Sequence, residues 1–211
     1  MMTVGLSNTE KKKQRQMNIL STIDFLGFAS RSHIQAIHSL GDTRNANRVL
    51  RDMHEYLNHF RGDENIYYLN QKGRDMIGSS KEMKRNQQTE HYLMHNDIYI
   101  YLGCPSDWKV ESPTSFKANV NLGGGVISSK EITLIPDGKC TITGLRHYIE
   151  VDNARVMKEN QKKIESYSLL KRVSDFKLIF YTSSDIRRKK LVEWCNVKNI
   201  NYEVLTKSDI V

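Results

Sequence analysis

Asp137, Glu150 and Asp152 are the side chains whose types and spacing best suit shared chemistry. Asp137 sits in Pro136-Asp137-Gly138, a turn sequence, and the two other acids sit in Tyr148-Ile149-Glu150-Val151-Asp152, which reads as a strand. Side chains alternate along a strand, so Tyr148, Glu150 and Asp152 share one face while His147, Ile149 and Val151 share the other. If the turn ends a neighbouring strand, Asp137 reaches the same place. Three carboxylates converging at a strand end make a hard oxygen site for Mg²⁺ or Mn²⁺. A metal held there can activate water and stabilise the charge that develops in phosphodiester cleavage. The same spacing is equally that of a Pro-Asp-Gly turn followed by an ordinary acidic strand edge.

A second group of polar residues suits recognition. In the segment from Asp42 to Leu57, Ala46, Val49, Leu50, Met53 and Leu57 fall at i, i+3, i+4, i+7 and i+11, an apolar helical stripe. Opposite it lie Thr43, Arg44, Asn45, Asn47, Arg48 and Arg51. Arg pairs bidentately with guanine and Asn with adenine in the major groove of duplex DNA, and both bind phosphates. The preceding helix begins with Arg31 and Ser32, donors suited to a backbone phosphate. Arg61, in a turn cluster, and Lys72 beyond it are placed to hold an adjacent phosphate or minor groove. A polar face used only for protein contact is the alternative.

The elements that position these groups divide at a charged stretch, Glu82–Gln88. Before it, helices are expected over 9–26, Arg31 to about Leu40 with Ser30 as cap, and from Asp42 or Thr43 onward; Gly27 and Gly41 stop the first two. The cluster 61–65 then joins His59-Phe60 to the strand-like Ile66-Tyr67-Tyr68-Leu69, and a short helix starts near Arg74. Three helices followed by a β-hairpin is the winged-helix order. Beyond the charged stretch, a helical segment at 89–102 precedes strand-like runs at 108–112, 127–135, 141–142 and 146–152. A long helix from about Ala154 to Arg172 follows, expected to bury Val156, Ile164, Tyr167 and Leu170. A strand at 176–182, a helix at 184–197 and a strand at 202–205 complete a mixed sheet flanked by helices. The expected fold is thus α+β or α/β, with a winged-helix domain at 1–80 and an α/β domain at 87–211.

In its layout, Pro136-Asp137 followed by Glu150-x-Asp152 resembles the PD-(D/E)xK, restriction-endonuclease-like nuclease fold. The whole chain resembles the replication-relaxation family of plasmids and phages. The matching pieces are Tyr67-Tyr68-Leu69-Asn70-Gln71-Lys72-Gly73-Arg74, then His91-x-x-x-His95-Asn96-Asp97, Pro136-Asp137-Gly138, Tyr148-Ile149-Glu150-Val151-Asp152, and the strand 176–182. The resemblance implies a DNA protein of a mobile element, acting in replication or relaxation. The nuclease motif wants a lysine where this chain has Asp152. Lys162 or Lys163 in the following helix, or Lys139 beside the turn, can stand in for it, and Glu90 or Asp97 can complete a metal shell. Alternatively the lysine is lost and the fold is kept for DNA binding or dimerisation.

Composition narrows the classes. The chain of 211 residues carries a formal net charge of +8, which favours a polyanionic partner, double-stranded DNA above all. Residues 1–86 hold 14 of the basic side chains against 9 acidic ones. Cys104, Cys140 and Cys195 lie far apart in no CxxC spacing, against a disulfide framework or zinc knuckle. No apolar run approaches the roughly 20 residues of a membrane span, and the start lacks a signal-peptide core, so a cytoplasmic location and no membrane partner are expected. His91 and His95 at i, i+4 lack a third zinc ligand; Gly123-Gly124-Gly125 lacks the ending of a phosphate loop and reads as a hairpin connection. Tyr99, Tyr101 and Trp108 read as core aromatics. The expected function is a regulator or replication accessory factor, with a homodimer on a palindromic site. A Mg²⁺-dependent nicking nuclease and an adaptor acting on a host factor are the alternatives.

Overall fold

A computed structural model describes residues 7–121, 127–153 and 156–210. The chain separates into two compact units, Met1–Ile100 and Tyr101–Val211. Among the described residues there are seven α-helices and three sheets.

In the first unit the order is α1 (Asn8–Leu26), β1 (Ala29–Ser30), α2 (Arg31–Ile37), α3 (Thr43–Arg51), β2 (Leu57–Arg61), β3 (Asn65–Leu69), α4 (Gln71–Ile77) and α5 (Thr89–Tyr101). Caps fix the starts of the helices. Ser30 accepts from the His33 amide to open α2, Asp42 accepts from the Asn45 amide to open α3, and Asn70 accepts from the Gly73 amide to open α4. Gly27 and Gly41 take φ of +76° and +72°, the left-handed backbone that lets the chain turn after α1 and before α3. The apolar stripe of α3 buries Ala46, Val49 and Leu50 against Ile19, Leu20, Ile23 and Leu26 of α1, Ile34 of α2, and Leu57, Tyr67 and Leu69 of the sheet. That sheet runs antiparallel in the order β1-β3-β2. Its other face carries Phe60 and Tyr68, whose rings lie 6.3 and 5.4 Å from that of Phe28, and Tyr92 of α5 stands 5.9 Å from the same ring.

Through Asn96 and Asp97, the helix α5 hydrogen-bonds to elements of this unit. Asn96, 2% exposed, donates to the Phe28 carbonyl at 2.7 Å and to that of Leu26 at 3.4 Å. Asp97 meets His33 Nε2 at 2.7 Å. Asn96 and Asp97 therefore tie α5 to the turn after α1 and to α2.

In the second unit come β4 (Lys109–Val110), β5 (Thr114–Asn121), β6 (Ile127–Leu134), β7 (Gly138–Ile142), β8 (Leu145–Asp152), α6 (Met157–Leu170), β9 (Phe176–Thr182), α7 (Asp185–Val197) and β10 (Tyr202–Leu205). A five-stranded sheet runs β10-β9-β8-β7-β4, and β5 pairs with β6 separately. The pairings β8–β9 and β9–β10 are parallel, bridged by α6 and α7; β7–β8 and β4–β7 are antiparallel. Parallel neighbours need such crossovers, whereas β7 and β8 need only a tight turn, with Thr143 and Gly144 both at positive φ. Ile164, Tyr167 and Leu170 of α6 and Leu191 and Cys195 of α7 share a core with Tyr148, Leu178 and Phe180. Val156, expected inside, is 67% exposed because it is the N-cap of α6 and precedes the buried stripe. The strand β5 goes beyond the sequence expectation. The Gly123–Gly125 connection lies outside the described residues.

Candidate functional site

The polar face of α3 is built by the helix phase. With Ala46, Val49 and Leu50 turned inward, Thr43, Arg44, Asn47, Arg48 and Arg51 are all exposed. Among the described residues Arg44, Asn47 and Arg51 have no side-chain hydrogen bond or ion pair. Arg48 donates to Asn45 Oδ1 at 2.7 Å and remains exposed. Asn45 is half-buried, and its amide also donates to the Leu40 carbonyl at 2.6 Å, so it serves the entry to the helix rather than its open face. Arg61 and Lys72 are exposed and likewise unpaired among the described residues.

Arg31 and Ser32 depart from the expected phosphate role. Glu64, in the turn between β2 and β3, takes both: its Oε2 lies 2.6 Å from Arg31 and its Oε1 accepts from the Ser32 amide at 3.2 Å and from the Ser32 hydroxyl. An acid clamped on these donors fastens the β2–β3 hairpin to the start of α2 and sets a negative charge where a phosphate was expected.

In the second unit, β8 delivers its acids to α6 as alternation requires. Tyr148, Glu150 and Asp152 meet successive turns of that helix: the rings of Tyr148 and Tyr167 lie 5.6 Å apart, Tyr167 donates to Glu150 Oε1 at 2.8 Å, and Asn160 donates to Asp152 Oδ1 at 2.6 Å. Asp137 precedes β7 in a register where Gly138 faces Ile149, and its Oδ2 accepts from the Val151 amide at 2.7 Å. Lys163 joins the two acids, donating to Glu150 Oε2 and standing 3.9 Å from Asp137 Oδ1. Glu150 is 1% exposed, and burial pushes its carboxyl up to about 7; the Lys163 ammonium pulls the other way and Asp137 adds to the rise. Burial and the neighbouring Glu150 raise the Tyr167 phenol well above its ordinary value.

Asp152 belongs to a different set. Arg187 grips it bidentately, Nε to Oδ2 at 2.7 Å and Nη2 to Oδ1 at 2.5 Å, and Thr182 donates to Oδ2 at 2.9 Å. Burial alone would raise this carboxyl, but the hydrogen bonds from Arg187, Asn160 and Thr182 outweigh it and hold Asp152 below the usual range. The family model for replication-relaxation proteins matches residues 20–177. This chain belongs to the replication-relaxation family.

A crystal structure of protein VC1899 from Vibrio cholerae is similar at 13% identity with a TM-score of 0.39, over 97% of this chain and 55% of that one. The chain thus spans little more than half the length of that protein. No curated protein matches the chain. No helix among the described residues is long and apolar enough to cross a membrane.

For this replication-relaxation protein, the three-carboxylate metal set expected from sequence does not assemble. Asp137 and Glu150 come together, but Lys163 occupies the position of a shared cation, and Asp152 is satisfied by Arg187. Among the described residues no three His, Cys, Asp or Glu side chains group closely enough to hold a metal ion. The residues present do not fit Mg²⁺ or Mn²⁺ in the expected set. Lys162 is exposed and turned away, whereas Lys163 is the residue at the acids. The phase of α6 decides this: Lys163 lies one turn from both Asn160 and Tyr167, which face the sheet. Lys139 is spent on the Pro113 carbonyl at 2.8 Å and the Thr114 hydroxyl at 3.0 Å. Of the alternative shell residues, Glu90 is exposed and Asp97 meets His33 in the first unit. Arg187 and Glu64 carried no local sequence signal, since each acts across more than 30 residues.

Proposed function

We propose that the chain is a DNA-binding protein of a mobile genetic element, acting as a regulator or a replication accessory factor. In this reading the first unit is a winged helix that lays α3 in the major groove of a duplex. The order α1-β1-α2-α3-β2-β3, with its three-stranded antiparallel sheet, supports that architecture. The observation that carries the reading is the exposed face of α3, where Arg44, Asn47 and Arg51 hold no partner among the described residues. Donors kept free on a rigid helix are available to base edges and phosphates at little conformational cost. Family membership supports a role in replication or relaxation. The second unit, with its acids neutralised internally, then serves dimerisation or partner contact on a restriction-endonuclease-like scaffold.

A gel-shift titration tests the reading. Arg44→Ala combined with Arg48→Ala is expected to weaken duplex binding by about 30-fold or more, since a good bidentate base contact is worth roughly 1–3 kcal/mol. Unchanged binding would overturn it.

A second reading, a deoxyribonuclease, draws on one observation: Lys163 brings a positive charge to Asp137 and Glu150 from α6, although the strand position of the nuclease-like motif holds Asp152. Incubating supercoiled plasmid with Mg²⁺ or Mn²⁺ separates the two. Nicking by wild type that Lys163→Ala and Glu150→Ala both abolish would establish the enzyme; intact plasmid with wild type leaves the DNA-binding reading.

A further inference from the structure

Among the described residues, nothing packs on the first half of α1. Every residue from Ser7 to Arg15 is exposed, and Ile19 is the first residue of the helix that is buried. An isolated stretch of this length is marginal as a helix in water, so local devices must hold it. Ser7 and Glu10 form a capping box, with the Ser7 amide donating to Glu10 Oε2 at 2.7 Å and the Glu10 amide donating to Ser7 Oγ at 3.3 Å. Gln14 donates to Asn18 Oδ1 at 2.9 Å, one turn on. Continuity with the buried half of α1 supplies the rest of the nucleus.

This projecting stretch carries Lys11, Lys12, Lys13 and Arg15. None has a side-chain ion pair or hydrogen bond among the described residues. Lys11 and Arg15 stand at i, i+4 and Lys12 and Arg15 at i, i+3, so these three form one ridge. The one acid nearby, Glu10, is consumed by the cap and lies on another side of the helix. Keeping four unpaired cations on a stiffened rod opposes their mutual repulsion, and a polyanion relieves that repulsion.

We propose that the N-terminal half of α1 is a second nucleic-acid contact, a sequence-independent clamp on the phosphates of duplex DNA. The proposal rests on the DNA-binding reading above. Composition selects this partner over others. The stretch Asn8–Gln16 has no apolar face to sink into a lipid surface and no apolar heptad positions for a second copy to pair with. Duplex DNA offers one phosphate charge per about 1.7 Å of axis, so a rod of about 13 Å can meet several of them.

The test measures fluorescence anisotropy of a random-sequence duplex over a range of salt, with three full-length chains. They are wild type, the quadruple variant Lys11→Gln/Lys12→Gln/Lys13→Gln/Arg15→Gln, and Arg44→Ala/Arg48→Ala. Gln matches Lys and Arg closely in helix propensity, so the quadruple variant keeps its fold and its circular dichroism. It is expected to bind about tenfold more weakly, with the log–log salt slope shallower by roughly three, at about 0.9 per phosphate lost. The same fractional loss is expected on every duplex sequence, because phosphate contacts carry no base information. An unchanged slope in a wild type that binds would overturn the clamp and leave the α3 reading intact. Absence of any wild-type binding would overturn both. Loss of binding to anionic phosphatidylserine vesicles, with the DNA slope unchanged, would assign the arm to a lipid surface instead.

Discussion

A carboxylate shut away from water, as Glu150 is, answers only to its neighbours. Its folded-state value of about 7 lies above the 4.5 of an open glutamate. Glu150 therefore favours the folded chain fully below pH 4.5, and that contribution is lost as pH rises through about 7. Glu150→Gln has no proton to lose. Its Tm relative to wild type is expected to climb between about pH 5 and pH 8; a difference that stays flat with pH would show that burial does not govern this acid. Asp152 runs the other way, since its folded-state value is lowered. The stability it provides is present above its unfolded value and is lost as pH falls through the folded one. Arg187→Ala leaves this acid, 0% exposed at its side chain, with only Asn160 and Thr182. Removing one partner of a buried pair typically costs about 3–5 kcal/mol, and the partial exposure of Arg187 places the expected loss near the lower end. Urea titration at neutral pH reads it directly.

Among the elements, the β2–β3 hairpin and α4 are held by close contacts that make specific demands. A Cβ on Gly73 would stand 2.3 Å from the Tyr56 carbonyl oxygen, a backbone atom with little room to move. Gly73→Ala is expected to lower stability by about 1–3 kcal/mol, the usual cost of overpacking, and thermal melts of the two chains check it. Glu64→Gln removes a negative charge from the hairpin and loosens its hold on Arg31 and Ser32. Duplex binding should tighten by about threefold, comparable to one phosphate contact across a fourfold change in salt; weaker binding would mean that the anchored hairpin matters more than the freed donors. Much at this scale was legible in the sequence. The stripe Ala46-Val49-Leu50-Met53, the caps Ser30 and Asp42, and the period-2 alternation that pairs Tyr148 with Glu150 and Asp152 are local patterns, and the structure follows them. Phase was also available: Ile164 and Tyr167 turned inward already place Lys163, not Lys162, over β8. β5 had the weaker signal of Phe116 and Ala118 alternating with polar residues. Arg187 reaching Asp152, and Glu64 reaching Arg31, were not legible, because a side chain's partner across the fold leaves no periodicity behind.

For the whole molecule, the formal charge of +8 and its lean toward the first 86 residues set a field that any polyanion meets before it meets a particular residue. Duplex affinity is therefore expected to fall steeply between about 50 and 200 mM salt, as it does for proteins neutralising several phosphates; an affinity indifferent to salt would favour a protein partner instead. The second unit carries a consequence for how the chain reaches its folded state. Glu150 is fixed in β8, and β7 pairs with β8 through a short local turn. Its cation arrives only with α6, 13 residues later. Docking α6 on β8 is what shuts Glu150 from water, so a helix without Lys163 would bury that charge with Tyr167 but not that cation to answer it. Sheet and crossover helix should consequently cross the folding barrier together, and above neutral pH stopped-flow refolding of Lys163→Met should be slower than that of wild type.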